Sequence, residues 1–116
     1  MRLDRERLLD ILEAIEAIER HLPSSKQEFD ANELVRVWCL RHIEIIGEAA
    51  AKLSQHARDQ APELPWKQIV GTRNTLIHAY FNVDWDAVWA AISRDIQPLK
   101  HGVQRLVATI SGEDAP

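Results

Sequence analysis

The chain has 116 residues, 46% of them hydrophobic and 28% charged, with a net charge of −4 and a single cysteine. That length fits one domain, and the apolar content is too high for wholesale disorder. Cys39 alone cannot form an intramolecular disulfide or a cysteine-built metal site, and a negative net charge excludes nucleic-acid binding by bulk positive charge. The opening Met1-Arg2-Leu3-Asp4-Arg5-Glu6-Arg7 is charged and unlike a signal peptide. No stretch approaches the roughly 18 uninterrupted apolar residues of a membrane span. A reducing cytoplasm, away from membranes, is the expected setting.

The apolar period is helical throughout. Leu8, Ile11, Leu12, Ile15, Ile18 and Leu22 form the stripe of a first helix that stops near Pro23-Ser24-Ser25. Asp30 and Glu33 have the spacing of a capping box opening a second helix. Its stripe is Val35, Cys39, Ile43, Ile46, Ala50 and Leu53, widened by Leu34, Val37, Trp38, Ile45 and Ala49. A helix apolar over so much of its circumference is expected between neighbours or at a subunit interface. Gly47 and Ala51 would allow a close helix approach.

Pro62-Glu63-Leu64-Pro65 reads as a linker, with Pro65 suited to the first turn of a third helix running from about Trp66 to near Tyr80. Asp84 is a good N-cap for a fourth. The stripe there is Trp85, Val88, Trp89, Ile92, Ile96, Leu99, Val103, Leu106 and Ile110, and Pro98 inside it predicts a kink or a break. Residues 1–110 are expected to form a single all-α domain, a four- to five-helix bundle, with 111–116 a flexible C-terminal tail.

Charge is unevenly placed. No acidic residue falls from Leu64 to Val83, which holds Lys67, Arg73 and His78, or from Leu34 to Ile43, which holds Arg36, Arg41 and His42. Two acid-free windows in an acidic protein could form a local polyanion site; uneven sampling of a small charge set is the lesser alternative. Glu13, Glu16 and Glu19 form an acidic row, read as a solvated face. The four Trp residues fall on apolar stripes and read as core or interface. His21, His42, His56 and His101 show no paired metal spacing, and no metal or cofactor is expected.

The third helix carries an anomaly. Its core stripe of Trp66, Ile69 and Val70 meets Arg73, whose guanidinium cannot be deprotonated and is prohibitive to bury unpaired. Arg73 must reach an edge, pair with a carboxylate such as Glu48, or face a cleft where a cation is wanted. On a continuous helix Asn74 and His78, four apart, share a face, and Arg73 and Tyr80, two turns apart, also align. A permanent cation and a group titrating near neutrality suit phosphodiester chemistry. Metal-free RNA cleavage uses the 2′-hydroxyl as nucleophile, with His for proton transfer and Arg for the phosphoryl charge. One such His per chain makes a C2 dimer attractive, because two copies would supply both proton-transfer groups.

The string Arg73-Asn74-x-x-x-His78-x-Tyr80 resembles the signature of HEPN-domain proteins, specifically the HepT-like toxins. Flanking strings agree: Ile45-Ile46-Gly47-Glu48-Ala49, Leu64-Pro65-Trp66, Gly71-Thr72, Val83-Asp84 and Val88-Trp89. The resemblance spans roughly Leu34 to Leu99. It implies a HEPN-type bundle that dimerises with two motifs lining a shared cleft, and a metal-independent endoribonuclease toxin of a type II- or VII-like toxin–antitoxin pair acting on cellular RNA. The implied partner is a small MntA-like nucleotidyltransferase antitoxin, which in some systems transfers AMP to the motif tyrosine, here Tyr80. By the same resemblance Arg73 and His78 are the catalytic pair, Asn74 supports them, and Tyr80 contacts substrate or is modified. Two other readings stand beside it. One is a non-catalytic helical module that docks the nucleotidyltransferase; the other is a structural adaptor in which Arg73 is merely ion-paired.

Overall fold

The computed structural model describes residues 3–72, 77–79 and 82–113. Helix α1 spans Asp4–Arg20, α2 Lys26–Ala31, α3 Glu33–Ala51, α4 Gln55–Asp59 and α5 Trp66–Val70. A short antiparallel ribbon follows, β1 (Ile77–Ala79) with β2 (Asn82–Val83). Then come α6 (Trp85–Ala90), a π-helical turn (Ala91–Asp95) and α7 (Ile96–Glu113). The expected all-α bundle is thus three long helical bodies, α1, α3 and α6–π–α7, joined by the short helices α2, α4 and α5.

Helix α1 packs most extensively on α3 and next on α7, while α5 lies against α3. The first stripe buries Leu8, Ile11, Ile15 and Ile18 as its period requires, and α3 buries Cys39, Ile43, Ile46 and Ala50. From α7, Val103, Leu106 and Ile110 close the core. Lys100 and Gln97 of α7 both reach the carboxylate of Glu19 on α1, at 2.9 and 2.8 Å. The hydrogen bond from Lys100 leads in holding that carboxyl below its ordinary pKa, against the opposing effect of partial burial. The acidic row is therefore not wholly a solvated face, since its last member clamps two helices.

Three boundaries differ from expectation. Helix α2 was not anticipated. Ser25 opens it by accepting a hydrogen bond from the Glu28 backbone N–H at 3.2 Å, while the Glu28 carboxylate accepts from Ser24 N–H at 2.9 Å. The capping signal thus lies at Ser25-x-x-Glu28, not at Asp30-x-x-Glu33. Asp30 sits inside α2, paired with Lys26, and Asn32 caps α3 by accepting from Val35 N–H at 3.1 Å. Helix α2 carries Phe29, fully buried, onto Trp89 and Trp85 of α6 at ring separations of 5.4 and 6.3 Å.

Helix α5 ends at Val70, Gly71 is a turn, Thr72 is helical again and Ile77–Ala79 is extended, so no unbroken helix runs from Trp66 to Tyr80. The Thr72 hydroxyl donates back to the carbonyls of Ile69 and Gln68 at 2.7 and 3.1 Å. Such bonding to the preceding turn is what a threonine within a helix makes and tends to bend it, and at Ile77 the chain is extended. Pro98, by contrast, acts as expected. It has no N–H to donate and its ring crowds the carbonyl four residues earlier. Directly upstream the ladder loosens into the π turn, where Ile96 N–H donates to Ala91 O. Helix α7 then continues to Glu113, beyond the expected domain limit at residue 110.

The width of the α3 apolar surface is only partly used within one chain. Trp38 and Ile45 are half-buried and Ala49 is buried, but Leu34 is 84% and Val37 52% exposed. Gly47 has the packing role foreseen for it: a Cβ there would stand 3.1 Å from the Ile69 carbonyl oxygen of α5. Among the described residues no helix is long and apolar enough to cross a membrane.

Candidate functional site

The motif segment is entered through α5, which is fixed at both ends. Trp66, buried, donates its indole N–H to Ala61 O at 3.0 Å. The far end lies on α3 where Gly47 lets the Ile69 carbonyl approach. Gly71 N–H still bonds back to Lys67 O at 3.0 Å, which satisfies the last turn of α5.

Arg73, Asn74 and Tyr80 lie outside the described residues. His78 falls in β1, whose backbone pairs with β2 in the register Ile77↔Val83 and Ala79↔Asn82, with an irregularity between them. The ribbon feeds directly into α6, where Asp84 accepts a hydrogen bond from Ala87 N–H at 3.0 Å, the N-cap expected of it. The helix-face argument that placed Asn74 beside His78 assumed an unbroken helix. It does not apply to a His78 in extended backbone, and the grouping of the four motif residues must rest on other grounds.

The two acid-free windows separate sharply. In the first, Arg36 donates to the carbonyls of Phe29 and Asp30 and lies 5.4 Å over the Trp85 ring. Arg41 has the carboxylates of Glu44 and Glu48 at 3.6 and 3.7 Å. His42 packs on Trp38, ring centroids 4.3 Å apart, and its Nδ1 is 2.8 Å from Trp38 O. That window is spent on structure. The Arg41–Glu48 contact also gives Glu48 a partner other than Arg73. In the second window Lys67, on the exposed side of α5, has no carboxylate partner among the described residues.

A mainly apolar cleft of about 760 Å³ opens beside the motif. Ile43 and Ile46 of α3, Ile69 of α5 and Leu99 of α7 line it, and so does Thr72, the residue immediately before Arg73. Its rim alternates in sign. Arg105 of α7 pairs with Glu63 in the linker, and Arg94 lies 3.4 Å from its neighbour Asp95 on the π turn. Among the described residues no group of three or more His, Cys, Asp or Glu is placed to hold a metal ion. The thiol of Cys39 is buried, and burial pushes its pKa up to about 11, which removes it from nucleophilic chemistry.

Residues 11–106 match the family described as Ribonuclease HepT-like. The chain belongs to the HepT-like ribonuclease family. Relatives of this HepT-like chain bear names of the same kind. A candidate RNase of Methanocaldococcus jannaschii is 39% identical over 98 residues, covering 84% of this chain and 90% of the relative. A protein of Thermococcus cleftensis named "Probable ribonuclease HepT" is 35% identical over 106 residues, 90% of this chain and 96% of that one. A candidate RNase of Caldanaerobacter subterraneus is 34% identical over 108 residues, with 92% and 96% covered. No solved structure matches. The family match spans the whole motif, from Arg73 to Tyr80, together with the helices that frame it.

Proposed function

We propose that this chain is a metal-independent endoribonuclease, the toxin of a toxin–antitoxin pair, acting as a homodimer in the cytoplasm. The observation that carries the reading is membership of the HepT-like ribonuclease family across residues 11–106, with Arg73, Asn74, His78 and Tyr80 all present inside that span. Arg73 places its forked, permanent charge on the non-bridging phosphoryl oxygens, where negative charge grows in the transition state. The substrate's 2′-oxygen attacks phosphorus as its proton is withdrawn, and the 5′-oxygen leaves as a proton is supplied. The products are a 2′,3′-cyclic phosphate and a 5′-hydroxyl. His78, a side chain of the type suited to proton transfer at neutral pH, moves these protons. Asn74 supports the pair, and Tyr80 contacts the RNA.

One chain supplies one such histidine, so two copies complete the acid–base set. The cleft beside Thr72 supports this arrangement. Its floor is apolar, and its rim carries Arg94 next to Asp95 and Arg105 next to Glu63. A patch carrying both signs of charge on an apolar floor is of the kind that could meet a copy of itself across a twofold axis. Control falls to a nucleotidyltransferase antitoxin, and AMP on Tyr80 would add bulk and negative charge beside Arg73 where the phosphate sits. Expression of the chain alone, beside His78→Ala, tests the reading. Growth arrest with RNA cleavage by the wild type only is expected. Normal growth and intact RNA with soluble, unmodified protein would instead favour the non-catalytic docking module.

A further inference from the structure

An acidic protein that holds RNA must do so through local charge. The charges that remain for this are few. Lys26, Arg41, Lys100 and Arg105 are all paired with carboxylates, and Arg36 is held by carbonyls and Trp85. Lys67 is an exception, and it lies on the helix that runs into the motif. It lines a second groove, of about 380 Å³, between α4 and α5, together with Arg58, Asp59, Gln55, Trp66 and Val70.

Arg58 is held rigidly at that groove, because its Nη2 donates to the carbonyls of Ala50 and Ala51 at 2.9 and 3.2 Å, closing the end of α3. A guanidinium fixed by two carbonyls keeps its full charge, since carbonyls are neutral acceptors. The groove therefore carries two cations against one carboxylate, Asp59, which accepts from Gln55 Nε2 at 2.7 Å. From Val70, at the groove, only Gly71 and Thr72 intervene before Arg73.

We propose that this groove holds a backbone phosphate of the RNA strand, one outside the bond being cut, with Lys67 as the principal contact and Arg58 as fixed background charge. The inference rests on the ribonuclease reading for the identity of its ligand. Binding here requires no chemistry at the motif, and the ligand is recognised by phosphate charge, without base readout. Lys67 is a binding residue that extends the substrate's footprint along α5, and Asp59 opposes it.

The test is binding of a single-stranded, fully 2′-O-methylated RNA of about ten nucleotides, a length typical of single-strand footprints. Such an RNA lacks the nucleophile and cannot be cut, so its binding is read by fluorescence anisotropy, independent of catalysis. Lys67→Ala should weaken binding by about three- to tenfold and lower the slope of log K against log salt by about 0.7. Asp59→Asn should tighten it. Arg20→Ala removes the same unit charge from the exposed end of α1 and should leave binding unchanged. Unaltered binding in Lys67→Ala, an equal loss in Arg20→Ala, or no binding by the wild type would each overturn the proposal. So would binding of a lone mononucleotide that depends on Lys67 as strongly as the oligomer does, since the groove would then be a nucleotide site. Failure to cleave an ordinary RNA, by contrast, would count against the nuclease reading and not against this groove.

Discussion

Gly47 offers the sharpest test of how α5, and with it the motif, is held. A Cβ at this position would lie 3.1 Å from the Ile69 carbonyl and 3.9 Å from that of Val70, both backbone atoms. The first distance asks for a shift of a few tenths of an ångström. For Gly47→Ala that strain is set against a gain of about 1 kcal/mol in helix propensity, so the net change should be small. Gly47→Val adds two methyl groups on a stiff β-branched stem, in the same direction and with nowhere to go. Overpacking of this kind costs about 1–3 kcal/mol, and the propensity gain over Gly is only roughly 0.5 kcal/mol. A net loss of about 1–2 kcal/mol follows, or about 4–8 °C in Tm for a domain near 100 residues. Ala51→Val, on the exposed side one turn later, should lose only about 0.5 kcal/mol. Urea unfolding followed by tryptophan fluorescence reads all three, with RNA cleavage measured on the folded variants. In Gly47→Val, activity should fall further than the folded fraction explains, because α5 is displaced. Stability equal to wild type in that variant would refute the close approach and the account of how the motif is positioned.

Further expectations concern the core and its charges. Phe29→Ala should cost about 3–5 kcal/mol in denaturant unfolding, because Phe29 is fully buried against Trp89 and Trp85; a loss below about 1 kcal/mol would mean that α2 is not anchored there. Cys39, with its pKa pushed up to about 11 by burial, should resist a thiol reagent at pH 8 in the native state and react promptly in denaturant. Rapid native labelling would contradict its place in the core. Lys100→Ala should cost about 0.5–1 kcal/mol at pH 7. Glu19 has a lowered folded pKa, so its contribution is present above the ordinary carboxylate value, about 4.3, and fades as pH falls through the lowered one. The difference between wild type and Lys100→Ala should therefore shrink in acid, and a constant difference would remove Glu19 from the explanation.

Much of the fold is legible in the apolar period because α1, α3 and α7 are long enough to repeat it several times. Leu8, Ile11, Ile15 and Ile18 leave little freedom, and Asp84 and Pro98 mark a start and a distortion by their own chemistry. Helix α2 escaped notice because six residues with one buried side chain make no stripe; its signal was the Ser25–Glu28 cap. The third helix was read too long for a related reason. Ile77 continues a 3.6-residue stripe from Ile69 and Val70, and Ile77 with Ala79 equally fits a two-residue alternation, which a short apolar run cannot resolve. Pairing of Ile77–Ala79 with Asn82–Val83 decides for the alternation, and such pairing is invisible to periodicity. Leu34 and Val37 read as buried because pattern alone does not distinguish a face covered by its own chain from one left open.

The site shows a similar division. Residue chemistry and the resemblance pointed to Arg73, Asn74, His78 and Tyr80; the family match spans these positions without assigning a role to any of them. The acid-free windows looked alike in sequence, yet carbonyls, a tryptophan ring and two glutamates occupy Arg36 and Arg41. Only the fold could separate that window from the one holding Lys67.

The most direct test of the central claim is cleavage of a purified single-stranded RNA by the unmodified chain in the presence of excess EDTA, beside His78→Ala and Arg73→Ala of native circular dichroism. Fragments ending in 2′,3′-cyclic phosphate from the wild type, and loss of cleavage by orders of magnitude in both variants, are predicted. Cleavage that vanishes with EDTA, or that survives intact in His78→Ala, would contradict the account.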